Sequence, residues 1–93
     1  MSIVHNMESI IAERAFDSPM TEGEDFGVIE EMAACLNLYN VQFVESFVSD
    51  QRTRAFCHFI APDAESVRRL LRGAGIEADS VWRCERRSLG VAK

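Results

Sequence analysis

The sequence predicts an α+β sandwich, in which a four-stranded antiparallel sheet carries two helices on one face. Apolar residues alternate in four segments and recur at helical spacing in two others, and the six segments follow the order βαββαβ. Turn or capping residues separate neighbouring segments. No repeat or linker interrupts the 93 residues, so we expect one domain over residues 1–93, with its core at about 8–87 and frayed ends.

The first half of the chain supplies one strand and one helix. Residues 8–16 are short and partly β-branched, and they stop at the turn cluster Asp17-Ser18-Pro19, which predicts a strand. Thr21 and Glu24 have the spacing of a capping box, so the first helix is expected to begin there. Its apolar stripe comprises Phe26, Ile29, Met32, Ala33 and Leu36.

Two runs rich in Val and Phe, at residues 41–49 and 53–61, predict a hairpin. A two-residue loop of Gln51 and Arg52 fixes which positions face each other. The pairs then expected on one face are Phe47 with Phe56, Glu45 with His58, and Phe43 with Ile60. A three-residue loop would change this register, so that alternative stays open.

The rest of the chain predicts a second helix and a fourth strand. Pro62 suits the first helical position, and Gly75 followed by Ile76 suits a Schellman cap. Val81 and Trp82 begin the last alternating segment. Because crossovers between parallel strands are right-handed, both helices fall on one side of the sheet, which is the ferredoxin-like sandwich.

The sheet face without helices is expected to need a partner. The strand runs are apolar on both faces, and each buried Phe contributes roughly 1.5–3 kcal/mol. A copy of the same sheet, stacked in a two-fold homodimer as a dimeric α+β barrel, would cover the bare face. A ligand cleft between the two sheets follows from the same geometry.

Charge and composition exclude several classes of protein. Residues 1–50 carry ten acidic side chains and one basic one (−9), and residues 51–93 carry five acidic and nine basic ones (+4), for a net charge of −5. An acidic total argues against nucleic-acid binding. The first ten residues lack the basic and apolar pattern of a signal peptide, and no run approaches the roughly 20 apolar residues of a membrane span. We therefore expect a soluble cytoplasmic protein with no nucleic-acid or membrane partner.

Several motifs stand out over about residues 8–85: Glu13-Arg14 with Phe16, the positions Val41, Phe43, Ser46 and Phe47, the segment from Phe56 to Arg69 that contains APDAESVRR, the AGI triplet, and Asp79 with Val81 and Trp82. Together they resemble the domain-of-unknown-function 4242 family. The resemblance implies a ferredoxin-like fold and, because some members are described as nickel-binding, a divalent metal such as nickel. Relatives often carry an acidic residue where this chain has Ile60, and some carry a histidine where it has Leu70.

Glu45 and His58 are the best site candidates, because the expected register places an acid opposite an imidazole on the bare face. Three roles stay open for them: a structural polar pair, metal ligation with further ligands from a dimer mate, and general acid-base chemistry. Arg14 shares the alternation of Ile10 and Ala12 and is expected to reach the same face. Phe43, Phe47 and Phe56 are expected to line the cleft.

These observations favour a non-catalytic homodimer that binds a metal ion or small ligand in the cleft at its open sheet face. The alternative is an enzyme like the dimeric ferredoxin-like monooxygenases, either cofactor-independent or using haem or flavin, and only the fold suggests it. A structural dimer without any ligand is the third possibility.

Overall fold

The computed structural model describes residues 7–85 and residue 87, and the backbone alone for residues 24–29. The elements are β1 (Glu8–Ala15), α1 (Glu22–Ala33), β2 (Gln42–Val48), β3 (Arg54–Ala61), α2 (Ala64–Gly73) and β4 (Ser80–Cys84). The predicted order is therefore confirmed. The side chains of Phe26 and Ile29 and most of the expected frayed ends lie outside the described residues. No helix in the described ranges is long and apolar enough to cross a membrane.

The sheet has the strand order β2-β3-β1-β4, and all neighbouring strands are antiparallel. This order is the ferredoxin-like arrangement. Alternate residues of β1 and β3 are buried against residues from α1 and α2, so both helices contribute to one core. The core comprises Ile10, Ala12, Met32, Val41, Cys57, Phe59, Ala61, Val67, Leu70, Leu71 and Ile76.

The first helix is shorter than its predicted stripe. It begins directly after Thr21 and ends at Ala33, which is exposed, so the assignment of Ala33 to the apolar stripe is wrong. Residues 34–40 continue as turns. They close at Asn40, whose φ of 58° is left-handed, and the N–H of Val41 donates to the carbonyl of Leu36 at 3.0 Å. Leu36 thus packs against the core from the turns.

Both ends of α2 have capping contacts that hold the helix in place. The Asp63 side chain accepts a hydrogen bond from the backbone N–H of Ser66 at 2.8 Å and is the N-cap. Pro62 precedes this cap, so the expectation that it occupies the first helical position is wrong. Gly75 has a φ of 73°, and the N–H of Ile76 donates to the Leu71 carbonyl at 2.8 Å. This bond confirms the expected Schellman cap.

The hairpin keeps the predicted register near its turn, although the loop is longer than predicted. Ser49 and Arg54 still pair, with the Ser49 N–H donating to the Arg54 carbonyl at 2.9 Å. The Ser49 hydroxyl accepts the N–H groups of Thr53 and Arg54, each at 3.1 Å. Residues 50–53 therefore form the turn in place of two residues. Both loop lengths are even and centred on the same point, so the facing positions are unchanged.

The predicted register fails in the part of β2 away from the turn, beyond a β-bulge at Val44. Glu45 faces His58 as predicted, but the register shifts so that Phe43 faces Phe59. A bulge places an extra residue on one strand and reverses the alternation beyond it. Phe43 consequently packs on Phe59 in the core, with ring centroids 5.6 Å apart. The expectation that Phe43 lines the open-face cleft is wrong.

Candidate functional site

The sheet face opposite the helices, called the open face below, is partly aromatic. Phe47, Trp82 and Phe56 are 64%, 39% and 36% exposed, and alternation along β1 and β3 adds Ile11 and Ile60 to the same face. Large aromatic side chains exposed together are unusual on a monomeric protein and mark interaction surfaces. The face therefore combines an apolar surface with the polar groups described next.

Glu45 and His58 face each other across β2 and β3, as the sequence predicted. Glu45 is exposed and His58 is partly buried. The Nε2 atom of His58 is buried and has no hydrogen-bond partner within the described part of the chain. A buried polar atom without a partner costs roughly 1–3 kcal/mol of stability, so a ligand that bonds to this nitrogen would remove that cost.

Arg14 does not reach the open face. It faces Ala55, which is buried on the helix side of the sheet, and it shares the alternation of Ile10. Its Nε donates to the Glu77 carbonyl at 3.1 Å, and its guanidinium lies 4.8 Å from the centroid of the Phe16 ring. The long side chain thus leaves the core at the end of β1, and the expectation that Arg14 lines the cleft is wrong.

Glu13 occupies the open face instead. Its carboxylate accepts a hydrogen bond from Trp82 Nε1 at 2.7 Å and lies 4.0 Å from Nη2 of Arg54. The Arg54 guanidinium in turn lies 5.5 Å from the centroid of the Phe56 ring. These contacts connect β1, β3 and β4. The sequence did not single out Glu13 as a site residue, although it stands on the strand alternation opposite to Ile10 and Ala12, which are buried.

A shallow recess of about 280 Å³ opens beside this group, between Phe47, Val48, Ser49, Arg54 and Phe56. Phe47 and Phe56 face each other across β2 and β3, as predicted. The recess borders the Glu45 and His58 pair, because those residues are next on the same face of each strand. Two predicted cleft residues, Phe47 and Phe56, therefore lie beside the candidate ligands.

The donor set within one chain is small. In the described ranges, no group of three or more His, Cys, Asp or Glu side chains is placed to hold a metal ion. Glu45 and His58 supply one carboxylate and one imidazole, and metal sites in proteins commonly need four to six ligands. Two side chains are fewer than such a site needs, and the same two residues from a second chain would double the number.

A family model for nickel responsive proteins, described as SCO4226-like, matches residues 11–84. The crystal structure of SCO4226 from Streptomyces coelicolor A3(2) is similar to this chain, with a TM-score of 0.78 and 19% sequence identity over 86% of this chain and 99% of that one. At that identity the likeness shows the fold. No curated protein matches the sequence. The words "nickel responsive" agree with the nickel role implied by the resemblance to the 4242 family. Membership of the 4242 family itself stays a prediction.

Proposed function

Because the chain belongs to the SCO4226-like family of nickel responsive proteins, we propose that it is a small homodimer that binds a divalent metal ion, nickel in the first instance, at its open face. Glu45 and His58 are the proposed protein ligands. The observation that carries the proposal is the buried Nε2 of His58, which has no partner among the described residues and stands opposite the Glu45 carboxylate.

The two side chains suit this ion chemically. Imidazole nitrogen is a common ligand of Ni²⁺, and a carboxylate oxygen balances part of its charge. A metal bound to Nε2 would replace the hydrogen bond that the nitrogen lacks, so binding would relieve an unsatisfied group as well as form new bonds. The bound ion would supply a positive charge that joins the carboxylates and imidazoles around it.

A second copy of the chain is the proposed source of the missing ligands. Two open faces stacked across a two-fold axis would cover Phe47, Phe56 and Trp82 and bring a second Glu45 and His58 to the same interface. Four protein ligands would then be present. Metal binding would stabilise the dimer over separate chains, because an ion that binds only the assembled state adds its binding free energy to assembly.

The test is metal content and mass measured together on untagged protein. After incubation with Ni²⁺ and removal of free metal, elemental analysis and native mass spectrometry should give a dimer that carries nickel. The Glu45→Ala, His58→Ala double variant should lose the metal. The matched control is His5→Ala with Glu31→Ala, which removes the other imidazole of the chain and an exposed carboxylate of α1.

Each outcome assigns a role to the pair. Nickel lost in the double variant and retained in the control supports the proposal. Nickel retained in both, or absent from the wild type, contradicts it, and a metal-free dimer would make Glu45 and His58 a structural pair. An additional organic mass would indicate the small ligand that the sequence left open. The monooxygenase alternative receives no support from the family or from the similar structure.

A further inference from the structure

A second cavity lies on the helix side of the sheet, between α2 and β4. Its volume is about 400 Å³, which is within the range of small-molecule pockets, about 300–1,000 Å³. The apolar lining consists of Leu71, Ile76, Ala78 and Val81, and the polar lining consists of Arg68, Arg72, Glu77, Asp79 and Ser80. We call it the α2–β4 cleft. It is separate from the proposed metal ligands, which lie on the opposite face.

The wall formed by residues 76–79 is held in place. The Asp79 carboxylate accepts the N–H of Ala15 at 2.6 Å, and the Glu77 carbonyl accepts Nε of Arg14 at 3.1 Å. These bonds tie the segment after α2 to β1. A wall fixed in this way loses little conformational freedom when a ligand binds, so the cleft is preformed.

The cationic side of the cleft is also ordered. Arg68 and Arg72 stand one turn apart on α2, and Arg68 Nη2 donates to the Val81 carbonyl at 3.0 Å. Arg72 contacts Glu65 through Nη2 at 3.1 Å. Within the described part of the chain, no hydrogen bond or ion pair engages its Nε or Nη1. Because a guanidinium has five donors, Arg72 keeps donors for a ligand while Glu65 steadies it.

The cleft is lined by two positive side chains, Arg68 and Arg72, and two negative ones, Glu77 and Asp79. Glu65, outside the lining, contacts both arginines, at 3.4 and 3.1 Å. A purely anionic ligand would be repelled by the carboxylates, and a purely cationic one by the guanidiniums. The matching ligand carries both charges a short distance apart and an apolar group for the floor.

We propose that the α2–β4 cleft binds a free α-amino acid with an apolar side chain. Its carboxylate bonds to Arg72, its ammonium group faces Glu77, and its side chain lies on Leu71 and Val81. Nη2 has a second hydrogen besides the one given to Glu65, and paired with Nε or Nη1 it forms a two-donor edge that suits the planar α-carboxylate. This inference does not depend on metal binding or on the open face.

The test is a ¹H–¹⁵N correlation titration of the full chain with L-leucine. Saturable shifts are expected at the amides of residues 71–81. Two analogues separate the charges: 4-methylpentanoate lacks the amino group, and 3-methylbutylamine lacks the carboxylate. Both should bind about tenfold more weakly or worse, since each loses one charged contact. Equal binding of either analogue, or the absence of saturable shifts with leucine, would overturn the proposal.

Two substitutions and a matched control locate the site. Arg72→Gln and Glu77→Gln should each weaken leucine binding by about tenfold or more. Arg69→Gln removes a neighbouring arginine that also contacts Glu65, at 3.7 Å, but does not line the cleft. It should leave binding unchanged. The spectra must show that both variants are folded. If Arg69→Gln then weakens leucine binding as much as Arg72→Gln, the loss follows the total positive charge of α2, and the assigned site is wrong.

Discussion

The two phenylalanines of β2 test whether the proposed dimer forms through the open face, because the bulge places them on opposite sides of the sheet. Phe47 is 64% exposed within one chain. Complete burial of such a side chain contributes about 1.5–3 kcal/mol, so covering the exposed part would contribute about 1–2 kcal/mol per chain and about 2–4 kcal/mol per two-fold dimer. We therefore expect Phe47→Ala to weaken dimerisation by about 30- to 700-fold.

Phe43→Ala is the matched variant and should behave in the opposite way. Phe43 packs edge-on against Phe59, which is fully buried, so truncation should lower the free energy of unfolding by about 2 kcal/mol. Its effect on dimerisation should be small. Sedimentation equilibrium gives the dimer dissociation constant, and urea unfolding at concentrations where the chain is monomeric gives the stability.

A comparison of Phe47→Ala with Phe43→Ala shows which face of β2 the dimer partner covers. Phe47→Ala should change the free energy of unfolding of the monomer by about 0.5 kcal/mol or less, as expected for an exposed position. Leu38→Asp is a further control, because Leu38 is 75% exposed but lies in the turns after α1. If Leu38→Asp weakens dimerisation and Phe47→Ala does not, the partner does not cover the open face, and the proposed assembly fails.

Three further predictions concern the chain outside the open face. Hydrogen bonds from the Ser66 backbone N–H and hydroxyl hold the pKa of Asp63 below its usual 3.8. Its stabilising effect is therefore present at neutral pH and lost as the pH falls below 3.8, so the thermal unfolding midpoints of the wild type and Asp63→Ala should differ at pH 7 and converge in acid. Gly75→Ala should lower the free energy of unfolding by about 1–2 kcal/mol in urea because of the positive φ, whereas Gly23→Ala, with its nearest atom 3.9 Å away, should not. Arg68→Ala releases the Val81 carbonyl on the edge strand β4, so size-exclusion chromatography should show more concentration-dependent association than with Arg69→Ala.

The order of elements and the central hairpin pairs could be predicted because local signals specify them. Alternating Val and Phe runs marked the strands, and the pairing of Glu45 with His58 followed from an even loop centred between Gln51 and Arg52. The longer loop did not matter, because Ser49 closes the turn and keeps the facing positions. Register near a turn is fixed by the turn itself, so this part of the site was accessible from sequence.

The remaining site residues depend on which face of the sheet is covered, and the sequence does not carry that information. Both faces of β2 are apolar, so a bulge at Val44 leaves the alternating pattern without a visible break, and alternation alone predicts the wrong side for Phe43. Glu13 and Arg14 are adjacent charged residues, and alternation sends one to each face. Only the contacts of β1 with the helix side of the core decide that Glu13 reaches the open face.

The two sheet edges and the open face differ in how they can associate. On the β2 edge, the bulge at Val44 interrupts the row of backbone groups, and on the β4 edge, Arg68 engages the Val81 carbonyl. Both devices disfavour addition of a strand from another chain. Both features lie at the edges and leave the open face uncovered, where Phe47 and Trp82 are exposed. We therefore expect the proposed dimer to form through the face and not through an edge, and only association through the face would bring two His58 imidazoles into one interface.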